Sequence, residues 1–320
     1  MSIILLAFQE GELSSDHLTQ IQTLAPDKQL IITQDREHIE SILDDIEIAV
    51  CSFPQDLVEK ASNLRWFQNW HAGADWVLRY PDLNEKDIVI TNTSGVHAIP
   101  ISEHIMAFLL ALGRNFPSQM RNQVQHTWAW PGKDTIFELS GKTMLLIGVG
   151  AIGSYTARLA SSFGMKVIGV RRNPEQAVDG ISQMLGQDNF QGALPEANFV
   201  VLTLPLTAET KGIIGADELA QMNSSAFIIN TGRGPTIDQA ALVQALQTGQ
   251  IAGAGLDVAD PEPLPENSPL WDMENVIITA HYSGVTPHYT ERALAIFLDN
   301  LARYVDGRPL RNVVNKQLGY

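Results

Sequence analysis

The chain has 320 residues, 45% of them hydrophobic and 18% charged, the composition of a soluble globular protein with length for about two domains. Its net charge of −15 argues against general nucleic-acid binding and means that an anionic ligand must be held by local positive groups, so well-placed arginines are informative. No uncharged apolar run reaches the roughly 18 residues of a membrane span, the first ten residues lack the basic leader of a secretory signal, and the lone cysteine, Cys51, excludes an internal disulfide. A cytoplasmic protein that engages neither membrane nor nucleic acid is expected.

In chain order, residues 3–8, 29–33, 46–51, 64–70 and 88–91 read as short apolar strands. Segments of helical period at 13–24, 36–43 and 56–61 separate the earlier ones. Alternating strands and helices imply a parallel sheet covered on both faces. Cys51 ends one of these strands and reads as a buried structural thiol. Residues 101 to about 120 form one long apolar helix, with Pro100 near its start, where a missing N–H costs nothing. A helix this apolar must be covered by a second domain or a partner subunit. A loop or lid with Trp128 and Trp130 follows. Strands are then expected at 143–147, 165–170, 198–204, 226–231, 251–258 and 276–280, with helices at 154–163, 216–221 and 238–248. The final amphipathic helix, 291–306, falls after this second sheet is complete and is expected to return to the first domain. The expected domains are 1–98 plus 286–320, and 99–285. No His or Cys cluster has the spacing of a metal site.

The apolar run 143–147 ends in Gly148, Gly150 and Gly153, the G-x-G-x-x-G spacing, between a strand and a helix and ahead of a second strand. That context makes it a dinucleotide fingerprint. Gly148 permits the tight turn, Gly150 lets backbone approach a pyrophosphate, and Gly153 lets helix and strand pack closely. Ala151 and Ile152 lie between the last two glycines, ahead of the helix whose N–H groups and dipole face the phosphates. An acidic residue at the end of the second strand would bond the ribose 2′-hydroxyl of NAD. Here Arg171 and Arg172 stand instead, about 20 residues beyond the first glycine, as suits the 2′-phosphate of NADP.

Three later strand ends carry charged residues where an α/β crevice forms: Arg233 between Gly232 and Gly234, Glu262 in a proline-bounded loop, and His281. An arginine can clamp a carboxylate with two parallel hydrogen bonds. A histidine is a natural proton donor to a carbonyl oxygen as hydride reaches its carbon, and a carboxylate beside it orients the ring. Beside a nicotinamide, these groups describe reduction of a 2-oxo acid.

With these motifs in order, and with Leu204, Pro205 and Thr210, then Asn230 and Thr231, then Asp257, the chain resembles the D-isomer-specific 2-hydroxyacid dehydrogenases over essentially its whole length. The resemblance implies two doubly wound parallel-sheet α/β domains, a flavodoxin-like substrate domain and a Rossmann coenzyme domain, with a cleft between them and assembly as a homodimer. By its motifs, the catalytic set is Arg233, Glu262 and His281. The N–H groups of Ala72 and Gly73 join Arg233 on the substrate carboxylate, and Asp257 holds the nicotinamide amide. Leu204, Pro205, Thr210, Thr231 and Gly232 complete the cofactor contacts. The segment 94–97 resembles one that contacts the cofactor side. Arg171 departs from NAD-using members and is similar to the NADPH-using glyoxylate/hydroxypyruvate reductases. Tyr282 stands where small or aliphatic residues are common. The leading expectation is an enzyme that reduces a small 2-oxo acid to its D-2-hydroxy acid, with NADP(H) preferred over NAD(H). An NAD-preferring dehydrogenase and a dinucleotide-sensing, corepressor-like protein on the same fold are the alternatives, since fold alone does not separate them.

Overall fold

The structure, a computed structural model, describes residues 2–319. It comprises two compact units, one running to Val96 and resuming at Thr286, the other spanning His97–Val285.

The first unit opens with β1 (Ile3–Ala7), α1 (Ser15–Leu24), β2 (Gln29–Ile32), α2 (Arg36–Ser41), β3 (Ile46–Cys51), α3 (Gln55–Val58), β4 (Trp66–Gln68) and β5 (Val89–Thr91). The five strands pair in parallel in the order β2-β1-β3-β4-β5, the flavodoxin-like order. A strand buried on both faces needs an uninterrupted apolar run, and all five residues of β1 are buried. Successive side chains leave opposite faces: Ile3, Leu5 and Ala7 join one core, and Ile4 and Leu6 another.

The second unit begins with α4 (Ala98–Gly113) and α5 (Phe116–Val124), then β6 (Thr143–Ile147), α6 (Ala151–Ser162), β7 (Lys166–Val170), β8 (Gln183–Leu185), β9 (Phe199–Leu202), α7 (Ala216–Gln221), β10 (Phe227–Asn230), α8 (Gln239–Gln247), β11 (Gly253–Leu256) and β12 (Val276–Ile278). Its seven parallel strands run β12-β11-β10-β9-β6-β7-β8, the dinucleotide-binding order extended by one strand. Because every pair is parallel, all carboxyl ends lie along one edge, and the order reverses between β6 and β9. Leu145 and Ile147 fill the core on one face of the sheet, and Met144 and Leu146 the core on the other, beside Ile105, Phe108, Leu109 and Leu112 of α4. The chain re-enters the first unit before α9 (Tyr289–Val305), which buries Ala293, Leu294, Phe297 and Leu301 against β1 and β3 residues.

Two features differ from expectation. The helix expected over 101–120 is broken: α4 ends at Gly113, Asn115 adopts the left-handed conformation with φ 55°, and α5 restarts with Pro117 in its first turn. Proline has no N–H to offer a helix interior and is tolerated in a first turn, so a helix running through 117 would lose a hydrogen bond and meet a clash. The edge strand β8 was not expected. Its three residues are exposed or half-buried and carry neither an apolar run nor alternation.

Candidate functional site

The glycine turn after β6 is tightly packed. Gly148 has φ +109°, and a Cβ there would press on the backbone N of Leu204 at 3.0 Å. A Cβ on Gly153 would collide with the carbonyl oxygen of Gly148, so α6 can approach β6 only with glycine at this position. Gly150, by contrast, has nothing within 4 Å of where its Cβ would stand. The first hydrogen bond of α6 runs from Ser154 N–H to the Gly150 carbonyl at 2.9 Å, so the N–H groups of Ala151, Ile152 and Gly153 precede it. Open space over Gly150 beside three helix-terminal donors fits a dinucleotide pyrophosphate. The Thr203 hydroxyl donates to the Gly148 carbonyl at 2.6 Å and fastens the turn to the end of β9.

Arg171 and Arg172 follow β7 directly, and Arg171 N–H continues the ladder to the Leu185 carbonyl at 3.1 Å. Across from them lies the 204–210 loop. Thr210 folds it by donating to the Pro205 carbonyl at 2.7 Å and accepting from Thr207 N–H at 2.8 Å. Glu209 in this loop is held below the ordinary carboxylate value by the Thr207 hydroxyl, with Arg172 adding a weaker pull. Arg172 thus has a carboxylate neighbour from a segment distant in sequence.

The turn after β10 is built by Asn230, which is 1% exposed. Its Oδ1 accepts from Gly232 N–H at 3.0 Å, and its Nδ2 donates to the Arg233 carbonyl at 3.0 Å. Thr231 is buried beside it. Arg233 Nη1 donates to the Gly232 carbonyl at 2.8 Å, and no hydrogen bond joins Arg233 to Glu262 or His281 among the described residues.

Glu262 and His281 are brought together, with Oε2 2.8 Å from Nδ1. Glu262 lies between two cis prolyl bonds, Asp260-Pro261 and Glu262-Pro263, and its Oε1 accepts from Ala259 N–H at 3.0 Å. His281 sits in the left-handed region at φ 52°, a conformation that surrounding structure must enforce. Asp257 enforces it. The Asp257 carbonyl accepts from His281 N–H at 2.8 Å, and its buried carboxylate accepts from Tyr282 N–H at 3.2 Å and Ser283 N–H at 3.1 Å. The Thr279 hydroxyl donates to the same carboxylate at 2.6 Å, and His104 Nε2 lies 3.0 Å from that hydroxyl. Burial pushes the His104 imidazole below its ordinary pKa, against the pull of Asp257. The His104 ring meets Tyr282 edge-on at 5.3 Å. His97 Nδ1 lies 2.9 Å from the Gly284 carbonyl.

In the first unit, His71, Ala72 and Gly73 follow β4. A cavity of about 370 Å³ beside them is lined by Cys51, Ser52, Asn69, His71 and Tyr80 among others. Cys51 is half-buried at φ 71°, and burial pushes its thiol up. Trp128 and Trp130 are exposed (96% and 89%), and the Trp271 indole donates to the Pro265 carbonyl at 2.9 Å. Among the described residues no His, Cys, Asp and Glu group could hold a metal, and no helix is long and apolar enough to cross a membrane.

Sequence reasoning passed over Thr203, Thr279 and His104, and used Asn230 only as part of a motif. Thr203, Thr279 and His104 act through partners far along the chain; the His104–Thr279 contact spans 175 residues. A local pattern gives no sign of such pairing.

The family model for "D-isomer specific 2-hydroxyacid dehydrogenase, NAD binding domain" matches residues 106–283. The chain is 31% identical to a glyoxylate reductase of Korarchaeum cryptofilum over 92% of this chain and 87% of that one. It is 36% identical to glyoxylate/hydroxypyruvate reductase B of Salmonella schwarzengrund over 82% of this chain and 81% of the relative. Among solved structures, a D-isomer specific 2-hydroxyacid dehydrogenase from Xanthobacter autotrophicus in complex with NADPH superposes with a TM-score of 0.83 at 28% identity, covering 100% of this chain and 99% of that one. An NADPH-dependent glyoxylate/hydroxypyruvate reductase from Sinorhizobium meliloti with NADP and sulfate gives 0.82 at 27% identity, with both chains fully covered. Taken with the glycine cradle and the strand-end side chains, these likenesses show that the chain belongs to the D-isomer-specific 2-hydroxyacid dehydrogenase family, enzymes built on an NAD(P)-binding domain.

Proposed function

We propose that the chain reduces a small 2-oxo acid to its D-2-hydroxy acid, with NADPH preferred to NADH. The observation that carries this reading is the His281–Glu262 pair, 2.8 Å apart at the carboxyl edge of the sheet that holds the glycine cradle. Bound on that cradle through residues 148–153 and 204–210, with Thr231, Gly232 and Asp257 toward its nicotinamide end, the cofactor would supply the hydride. Arg233 binds the substrate carboxylate as a two-pronged donor. The N–H groups of Ala72 and Gly73 add to that grip. With Nδ1 engaged by Glu262, Nε2 of His281 is left to give its proton to the carbonyl oxygen as the carbon is reduced. Glu262 keeps the ring turned for that transfer.

The NADPH preference rests on Arg171 and Arg172 at the position where an acidic residue would serve NAD. It is also in keeping with the NADPH and NADP named for the two structural neighbours. The names of the relatives make glyoxylate and hydroxypyruvate the first substrates to try. A homodimer and a cytoplasmic location belong to the same proposal. The first is supported by the apolar side chains that α5 and its following loop leave exposed, and the second by the single cysteine.

The test is the loss of nicotinamide absorbance with glyoxylate, hydroxypyruvate, pyruvate and branched 2-oxo acids, each with both cofactors. Turnover with NADPH on one or more of these acids is expected. Absence of turnover across the panel would overturn the reading.

A further inference from the structure

In the first unit, four successive carbonyls after β4 are each held by a side chain. Asn69 Nδ2 donates to the carbonyls of His71 at 2.7 Å and Gly73 at 2.9 Å. Asn92 Nδ2 donates to the Ala72 carbonyl at 2.8 Å. The Trp70 carbonyl takes two hydroxyls, that of Thr93 at 3.0 Å and the phenol of Tyr289 at the start of α9. These donors are supplied from inside the fold: Asn69, Asn92 and Thr93 are buried, and Tyr289 is half-buried. Burial pushes the Tyr289 phenol above its ordinary pKa, so it keeps the proton that it donates.

A trans peptide is planar, with its C=O and N–H pointing opposite ways. Holding the Trp70 carbonyl therefore fixes the N–H of His71, holding the His71 carbonyl fixes that of Ala72, and holding the Ala72 carbonyl fixes that of Gly73. None of these three N–H groups has an acceptor among the described residues. Consecutive free N–H groups of this kind form a concave anion site. An exposed turn would satisfy its carbonyls with water and stay mobile; the carbonyls of this one are held by three buried side chains and one half-buried phenol.

We infer that Asn69, Asn92 and the Thr93–Tyr289 pair are positioning residues that align three N–H donors, those of His71, Ala72 and Gly73, on the substrate carboxylate. This inference rests on the proposed reading of the 72–73 segment as a carboxylate-binding loop. It adds a third donor, His71 N–H, and assigns the groups that aim all three.

The experiment has two arms. In the first, the ¹⁵N-labelled wild-type protein with NADP is titrated with oxamate, a non-reacting analogue of a small 2-oxo acid. The amide signals of residues 71–73 are expected to shift together; if none moves, the carboxylate-loop reading itself fails. If those of Ala72 and Gly73 move without His71, the third donor is withdrawn. In the second arm, Thr93→Val/Tyr289→Phe and Asn69→Ala are each expected to raise KM for the 2-oxo acid by roughly three- to ten-fold, the loss of one or two hydrogen bonds. KM for NADPH and kcat should stay within about twofold, because uniform substrate binding is what is removed. Restoring one hydroxyl, as Thr93→Ser/Tyr289→Phe, should recover part of the KM. Unchanged KM in folded variants would overturn the positioning role while leaving the loop reading intact. So would a parallel fall in kcat and NADPH affinity. If Asn69→Ala fails to fold, the hydroxyl pair carries the test.

Discussion

Arg171 stands at the end of β7 with no ion pair of its own among the described residues, whereas Arg172 beside it feels Glu209. Arg171 is therefore the guanidinium more available to a 2′-phosphate. Arg171→Ala should lower kcat/KM for NADPH by about 10–100-fold and change that for NADH little, as expected for losing one charge-assisted contact. Steady-state kinetics with both cofactors checks this, and an equal loss with each would remove Arg171 from phosphate recognition. Asp257 makes a different demand. Its carboxylate, buried and accepting from Thr279 and two backbone N–H groups, holds the backbone around His281. Asp257→Ala leaves those donors unpaired and should cost about 2–4 kcal/mol in denaturant unfolding; a change below about 0.5 kcal/mol would contradict the role. Arg233, Glu262 and His281 could be singled out as candidates in the sequence because each is a charged residue that follows an apolar run, the first two flanked by glycine or proline. The residues that hold the carbonyls of 70–73 could not. Asn69, Asn92 and Tyr289 are ordinary polar residues whose meaning lies in contacts, and Tyr289 reaches a carbonyl 219 residues away.

At the scale of elements, the strand–turn–helix at 143–162 was the most legible part of the chain, since an apolar run, three spaced glycines and a helix make one local signal. Its geometry gives a sharp expectation. Gly153→Ala places a methyl against the Gly148 carbonyl, so α6 must shift from β6. Stability should fall by about 1–3 kcal/mol and NADPH binding should weaken with it, as read by unfolding and by cofactor fluorescence titration. The break between α4 and α5 and the strand β8 were less legible. In the first, a long apolar periodicity masked the stop at Asn115 and Pro117; in the second, an edge position needs little hydrophobicity. Burial opposes the charge of Glu47 on β3, but the Lys28 ammonium at 2.8 Å, with the hydroxyls of Ser2 and Tyr304, outweighs it and holds the carboxyl below its ordinary value. A depressed carboxylate contributes stability that is present above the ordinary pKa of about 4.3 and is lost as pH falls through the depressed value. Glu47→Gln should therefore be less stable than wild type near pH 7, with the gap closing below about pH 4. Unfolding midpoints across that range measure it, and a gap that does not depend on pH would contradict the assignment.

For the whole molecule, the alternation of apolar strands and helices implied parallel sheets, and parallel pairing places every carboxyl end of a sheet on one edge. That is why residues scattered from 148 to 281 could be assigned to one edge before any contact was known. Oligomeric state was not legible in this way. Phe116, Met120 and Val124 on α5, with Trp128 and Trp130 beyond it, are exposed apolar side chains that a second copy would cover. Sedimentation equilibrium should give twice the 35.2 kDa chain mass, and Met120→Glu/Val124→Glu should shift it toward the single chain. A wild-type protein that sediments at one chain mass would contradict the homodimer. Delivery of the proton by His281 in a 2-oxo acid reduction is measured by comparing wild type and His281→Ala in single-turnover reduction of hydroxypyruvate or glyoxylate under saturating NADPH. A rate lower by about 10²–10⁴-fold with NADPH affinity unchanged is expected; a variant that keeps a near-normal rate would remove His281 from the proton-donor role.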